Sequence, residues 1–317
     1  MIICGQTATG KTSLAIKLAK KFAGEIVSAD SRQVYRYLNI GTGKDLPKNS
    51  QQILNSKLKI PGKRIGYHEI DGVKVWLYDV VVPGYQFSVA DYLESANLVM
   101  EDIWQRGKLP ILVGGTGFYI KALIEGVETM GVKPDWELRG QLSEFTPVQL
   151  RKKLGEIDPE RSQRMNQSDQ NNPRRLIRAI EVARNKDLDV FQYKRLETSA
   201  DIFWIGLRAP YKVLYQKIDQ RVEERVKMGA EKEIKELLKK GYDFKNSVLG
   251  TTIGYREWNS GRSKEEIIQK WKFAEHGYAR RQMTWFKGNH KINWFDIMKK
   301  DYQSRVESLV KQWYYLK

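Results

Sequence analysis

Residues 5–12 read GQTATGKT, and the fold class turns on what stands either side of them. Gly5, Gly10, Lys11 and Thr12 satisfy the spacing G-x-x-x-x-G-K-[ST]. A short apolar stretch, Met1 to Cys4, precedes them and an amphipathic run follows, which is the strand–loop–helix context that this phosphate loop requires. Its glycines let the backbone curl so that several N–H groups converge on phosphate oxygens, and the helix start adds the positive end of its dipole. Lys11 supplies a mobile cation, and the Thr12 hydroxyl can ligate a Mg²⁺ that bridges two phosphates. Gly5, Gln6, Thr7, Ala8, Thr9, Gly10, Lys11 and Thr12 are therefore the candidate cradle for a di- or triphosphate. The loop leaves the reaction open.

Leu14, Ala15, Leu18, Ala19 and Phe22 share one face of the following helix, and Gly24 is placed to end it as a C-cap glycine. EIVSA (25–29) reads as a second buried strand, with Asp30 just past its carboxyl end, where open α/β sheets bind ligands. ILVGGTGFYIKALIEG (111–126) repeats strand, glycine turn and helix, and IFWIGL (202–207) and INWF (292–295) are further strands. YHEIDGVKVWLYDV (67–80) alternates around Asp71-Gly72 like a β-hairpin. Residues 130–200 carry helical patterns rich in Arg and Gln with no convincing strand. The expectation is an α/β fold: a P-loop NTPase-like parallel sheet flanked by helices, with a mainly helical insertion. The corresponding domains are 1–128 as the first part of the core, 129–200 as the insertion, and 201–317 as the second part with C-terminal helices.

Composition sets the outer limits. The chain has 317 residues, 41 % hydrophobic and 11 % aromatic, enough for a large core. Its apolar runs are too short to span a bilayer, and the N-terminus lacks the charged start and long apolar core of a signal peptide. One cysteine, Cys4, excludes an internal disulfide and suits the reducing cytoplasm. Three scattered histidines (His68, His276, His290) argue against a zinc site. The net charge of +17 suggests a polyanionic partner; from Arg208 to Lys291 there are 20 Lys and Arg against 11 Asp and Glu. A lysine-rich surface that serves only solubility accounts for the charge equally well.

Asp30 on local chemistry alone fits a magnesium ligand, a general base or a helix N-cap. Its neighbours add a specific pattern. The phosphate loop, then ADSRQVYRYLNIGTGK, FSVADY, VGGTGFYIKALIEG, RRLIRAIEV, IGYRE and RRQMTWF, occur in an order that resembles the bacterial tRNA dimethylallyltransferases over nearly the whole chain. That resemblance implies that the loop holds the pyrophosphate of dimethylallyl diphosphate, with Mg²⁺ as cofactor and Thr12 as its protein ligand. It implies that Asp30 accepts a proton from an adenine amine beside the tRNA anticodon as the amine attacks the allylic carbon. Arg221 matches a family arginine directed at the pyrophosphate, and completes a catalytic set with Asp30 and Thr12. The tRNA anticodon stem-loop would meet Asp30, Ser31, Arg32, Gln33, Thr116, Arg139 and the run Arg174, Arg175, Leu176, Ile177, Arg178. The expected enzyme is cytoplasmic, with no membrane partner; a monomer is one reading of its assembly, which the sequence leaves open.

Helical spacing bears on the arginines independently. Leu214, Ile218, Val222 and Val226 form an apolar stripe, with Arg221 and Arg225 on the same inward face; Ile267, Trp271, Ala274, Tyr278, Arg281 and Trp285 form another. A buried arginine needs an anionic partner, whether a ligand or a structural carboxylate. The chain also departs from the family pattern. The segment between Lys44 and Tyr78 is long, and Trp76 and Leu77 replace a common double histidine. Glu275-His276-Gly277 stands where Thr-Arg-Gln is common, and Arg225 where methionine is frequent. The competing readings are a P-loop kinase, a prenyltransferase acting on a small nucleotide such as AMP, and an RNA-binding NTPase without group transfer.

Overall fold

A computed structural model of the chain describes residues 1–126, 132, 134–185 and 200–315. The chain divides into two compact units, Met1–Ile124 with Leu196–Lys317, and Glu125–Arg195. The boundary expected at 128/129 lies outside the described residues, and that at 200/201 adjoins residues 186–199, also outside them.

The larger unit is built on an eight-stranded mixed sheet among the described residues: β1 (Ile2–Gly5), β2 (Gly24–Ser28), β3 (Ile53–Leu54), β4 (Gly66–Ile70), β5 (Val73–Trp76), β6 (Leu109–Val113), β7 (Trp204–Arg208) and β8 (Ile292–Asp296). Their order across the sheet is β3-β4-β5-β2-β6-β1-β7-β8. From β5 to β8 every pairing is parallel, and only the β3-β4-β5 edge is antiparallel. The central parallel strands β1 (IICG) and β6 (LPILV) are apolar throughout, as strands covered on both faces are, whereas β2 and β5 carry Glu25 and Lys74. The hairpin expected around Asp71-Gly72 is the β4–β5 connection, so the sheet is mixed where the sequence pointed to a parallel one.

Helices α1 (Lys11–Lys21), α2 (Val89–Gln105) and α3 (Gly117–Glu125) precede the smaller unit. α2 opens on a reciprocal capping box between Ser88 and Asp91. The core packs Leu14, Ala15 and Leu18 of α1, with Phe22 at its C-cap, against Ile3, Ile26, Val75, Ile111 and Ile205 of the sheet. Gly24 does not cap α1. Ala23 takes the left-handed turn, at φ 48°, and Gly24 already belongs to β2, where a Cβ would lie 2.9 Å from the Leu109 carbonyl oxygen. Close strand approach, not the cap, requires that glycine. Cys4 is fully buried in β1, and burial above all pushes its thiol up to about 12. Among the described residues no helix is long and apolar enough to cross a membrane.

The smaller unit holds α4 (Trp136–Ser143), α5 (Pro147–Ile157), α6 (Pro159–Arg164), α7 (Gln167–Gln170) and α8 (Pro173–Arg184). It has its own core of Leu138, Leu142, Leu150, Leu154, Leu176, Ala179, Ile180 and Ala183. The larger unit resumes with β7, then α9 (Tyr211–Lys227), α10 (Ala230–Lys239), α11 (Lys264–Phe286), β8 and α12 (Tyr302–Tyr315).

Candidate active site

At the carboxyl ends of β1 and β2 lies a cleft of about 770 Å³ lined by the phosphate loop, Asp30 and the cationic face of α9. Gly5 leaves β1 at φ 122°, a backbone state closed to other residues here, and a Cβ would sit 2.2 Å from the Leu207 carbonyl oxygen. The Gln6 carbonyl then accepts from the Thr9 hydroxyl at 2.7 Å and from the Lys11 ammonium at 2.6 Å, which closes the loop on itself. Gln6 and Thr9 are buried inside the loop, whereas Thr7, Ala8, Gly10, Lys11 and Thr12 line the cleft. Burial first, and the Arg221 charge second, push the Lys11 pKa down to about 8, the state of a cation held ready for a counter-anion.

Asp30 stands opposite. Its Oδ1 accepts from the backbone N–H of Arg32 at 2.8 Å and of Gln33 at 3.3 Å, an Asx turn that orients the carboxylate. Thr116 does not line the cleft; its hydroxyl accepts from the Ser31 N–H at 3.1 Å and so braces the Asp30 turn from the GGTG side. The Gln33 amide donates to the Gly43 carbonyl at 3.1 Å and accepts from the Ser28 hydroxyl at 3.1 Å. The backbone therefore holds Asp30, and Gln33 is spent tying its turn to the Gly41-Thr42-Gly43 loop.

That loop carries groups that sequence reasoning did not single out. A Cβ on Gly43 would lie 2.0 Å from Arg225 Nη2 and 2.6 Å from Arg221 Nη2, so two guanidinium groups press on one glycine. Glu233 of α10 accepts from the N–H groups of Asn39, Ile40 and Gly41 and from the Tyr255 hydroxyl. Lys44 is fully buried, and its ammonium donates to Tyr35 O at 2.7 Å, Asn39 Oδ1 at 2.9 Å and Asp79 Oδ1 at 2.6 Å. The long 44–78 segment thus ends at an anchor, with His68 completing it against Asp79 at 2.8 Å.

The arginines divide by partner. Arg221 is half-buried, faces the cleft and donates to Asp45 at 2.8 Å. Arg225 is buried and paired with Glu275 at 3.1 Å. Arg281, expected in a core slot, is exposed and lines the cleft instead. The buried face of α11 runs through Ile267, Trp271, Glu275, Ala279, Gln282 and Phe286. Its polar members are hidden because each finds partners, which an apolar stripe cannot reveal. Gln282 accepts from the Thr7 N–H at 2.7 Å and donates to Gly115 O at 3.2 Å, joining the phosphate loop to the GGTG turn. The block RRQMTWF contained this residue, but nothing in its spacing marked the glutamine.

In the smaller unit, Arg139 grips Glu181 with two hydrogen bonds, at 2.6 and 2.8 Å. Arg178 joins the same carboxylate at 2.9 Å and donates to Val132 O. Burial pushes the Glu181 carboxyl up, but these two arginines outweigh it and hold it below the usual range. Leu176 is fully buried in the helical core, so its side chain packs rather than meeting a ligand; Ile177 is half-buried against the same cluster. Arg174 and Arg175 are exposed on α8, and Arg175 pairs with Asp169.

Two family models match the chain: "IPP transferase" over residues 33–289 and "Isopentenyl transferase" over residues 1–58. Among curated relatives, a tRNA dimethylallyltransferase of Thermoanaerobacter sp. (strain X514) is 36 % identical, covering 98 % of this chain and 96 % of its own. One of Acetivibrio thermocellus is 36 % identical, covering 100 % and 96 %. The crystal structure of the tRNA isopentenylpyrophosphate transferase of Bacillus halodurans aligns with a TM-score of 0.65 at 32 % identity, covering 98 % of this chain and 94 % of that one. A eukaryotic dimethylallyltransferase, captured acting on tRNA, shares the fold at 22 % identity with a TM-score of 0.74 over 98 % of this chain and 78 % of that one. With the phosphate loop, the braced carboxylate and the arginine face in one cleft, and relatives matched end to end, the chain belongs to the IPP transferase family.

Proposed function

We propose that this protein transfers the dimethylallyl group of dimethylallyl diphosphate to the exocyclic amine of the adenine 3′-adjacent to the anticodon in tRNA, releasing pyrophosphate. The observation that carries the reading is that the phosphate loop and a backbone-oriented carboxylate line the same cleft. The diphosphate lies against Lys11, the loop N–H groups and Arg221, where charge accumulates on the departing oxygens as the allylic C–O bond breaks. The adenine nitrogen forms the new bond to that carbon, and its proton passes to the Asp30 carboxylate. Two backbone N–H groups occupy Oδ1, and among the described residues no other hydrogen bond engages this carboxylate.

Mg²⁺ fits this cleft as a shared ion. The Thr12 hydroxyl, on the cleft wall next to Lys11, would hold the ion together with the substrate's own phosphate oxygens, since no group of three or more His, Cys, Asp or Glu among the described residues forms a site of its own. Bound there, it neutralises charge on the leaving group. An adenine stacked in the anticodon loop must be extruded to reach Asp30. Arg32 lines the cleft beside it, and Arg174 and Arg175, exposed on α8, are suited to RNA phosphates. Arg139 and Arg178 support the RNA surface by bracing α4 and α8 through Glu181. A cytoplasmic location follows from the tRNA substrate.

Nucleoside mass analysis of unmodified tRNA, before and after incubation with dimethylallyl diphosphate and Mg²⁺, tests the reaction. The expected result is one prenylated adenosine without ATP. A requirement for ATP with phosphate transfer, preference for AMP over an anticodon stem-loop, or an unchanged nucleoside profile each refutes it. Asp30→Asn lowers kcat by about 10²–10⁴-fold while the fold persists. Arg221→Gln likewise folds but loses turnover.

A further inference from the structure

The Arg225–Glu275 pair has no part in the chemistry above, yet it lines the same cleft. The pair is more than a neutral plug. Arg225 is 6 % exposed and, among the described residues, has one ion-pair partner, Glu275, through Nη1 at 3.1 Å. Among the described residues its buried Nε has no hydrogen-bond partner and Nη2 donates to none. A guanidinium carries five N–H donors, so most of this one is unspent.

Its surroundings say what those donors lack. Arg221 Nη2 and Arg225 Nη2 converge on the same point beside Gly43. Burial first, and the Arg221 charge second, push the Arg225 pKa down, so this second cation is held at a cost. Seven cationic side chains line the cleft (Lys11, Arg32, Lys217, Arg221, Arg225, Arg256, Arg281) against four carboxylates (Asp30, Asp45, Glu224, Glu275). A buried cation with unused donors, pressed against a second cation in a cation-rich cleft, fits a multiply charged anion.

We propose that Arg225 is a second guanidinium of the diphosphate site, kept in place by Glu275, so that a bound diphosphate is clamped by Arg221 and Arg225 together. The proposal rests on the donor-site reading above. It deepens that reading by adding a binding residue, with Glu275 as its positioning residue. A chain with methionine at 225 would grip the same group with one arginine fewer.

Calorimetric titration of inorganic pyrophosphate with Mg²⁺ tests this, together with KM for dimethylallyl diphosphate. The key variant is Arg225→Met/Glu275→Thr, which removes both charges and strands neither. It is expected to fold, to bind pyrophosphate about 10- to 100-fold more weakly, and to raise KM for the donor but not for tRNA. Glu275→Gln keeps an oxygen that accepts from Arg225 Nη1, so Arg225 stays in place, and removes only the carboxylate charge that neutralises it. Pyrophosphate should bind it at least as tightly as wild type and raise its Tm by more. Wild-type affinity in the double variant, with Arg221→Gln weakened, overturns the role of Arg225 alone and leaves the donor site standing. Failure of the wild-type protein to bind pyrophosphate sinks the donor-site reading and this inference with it.

Discussion

Single residues here do their work by where their charge is held. Glu25 is the clearest case outside the cleft. It is buried at the start of β2 and accepts from Arg106 at 2.6 Å, Trp76 at 2.8 Å and Lys108 at 3.0 Å. Burial pushes its carboxyl up, but those donors outweigh burial and bring it down to about 2 from 4.5. The stability this gives is present above pH 4.5 and is lost as pH falls towards 2. Glu25→Gln should therefore cost about 3–5 kcal/mol at pH 7 and make the acid limb of the stability curve shallower, as urea unfolding from pH 7 to pH 3 would show. Lys11 has the opposite sign. With its folded pKa near 8, free enzyme loses the cation as pH rises through that value. Pyrophosphate affinity should drop by up to tenfold per pH unit above pH 8, and Lys11→Met should abolish that slope while binding weakly throughout.

At the scale of elements, the phosphate loop, the GGTG turn and α11 act as one piece because Gln282 bonds to both loops. Gln282→Ala strands the buried Gly115 carbonyl, at about 1–3 kcal/mol, and leaves the part-buried Thr7 N–H on the cleft wall without its partner. We expect a fall in kcat/KM well beyond the loss in Tm, since the loop relaxes while the α11 core remains. An equal, small change in both would mean that the loops hold their shape without the bridge. The spacing of the loop and the alternation of the β4–β5 hairpin were legible in sequence, because each is a local pattern. The left-handed turn at Ala23, the exposure of Arg281 and the burial of Gln282 were not. Each depends on which neighbour an element meets, and an apolar stripe counts only apolar neighbours.

For the molecule as a whole, the two units have separate cores, one around the sheet and one among α4, α5 and α8. Leu154, fully buried in the smaller core, tests their independence. Leu154→Ala should destabilise that unit by about 2–5 kcal/mol and open its amides to hydrogen exchange. Pyrophosphate binding in the larger unit should stay within a factor of two. A parallel loss of pyrophosphate affinity would show that the units melt together.

By itself the sequence determined the phosphate loop, the parallel core with its carboxyl-edge acid, and a basic chain with a helical insertion, because these rest on spacing and composition within short windows. Only the tertiary structure decided which charges are committed. Arg139 and Arg178 meet at Glu181, Arg225 meets Glu275 across 50 residues, and Thr7 meets Gln282 across 275. The reason is physical. A buried polar group is stable only beside its complement, and packing rather than local pattern brings the complement to it.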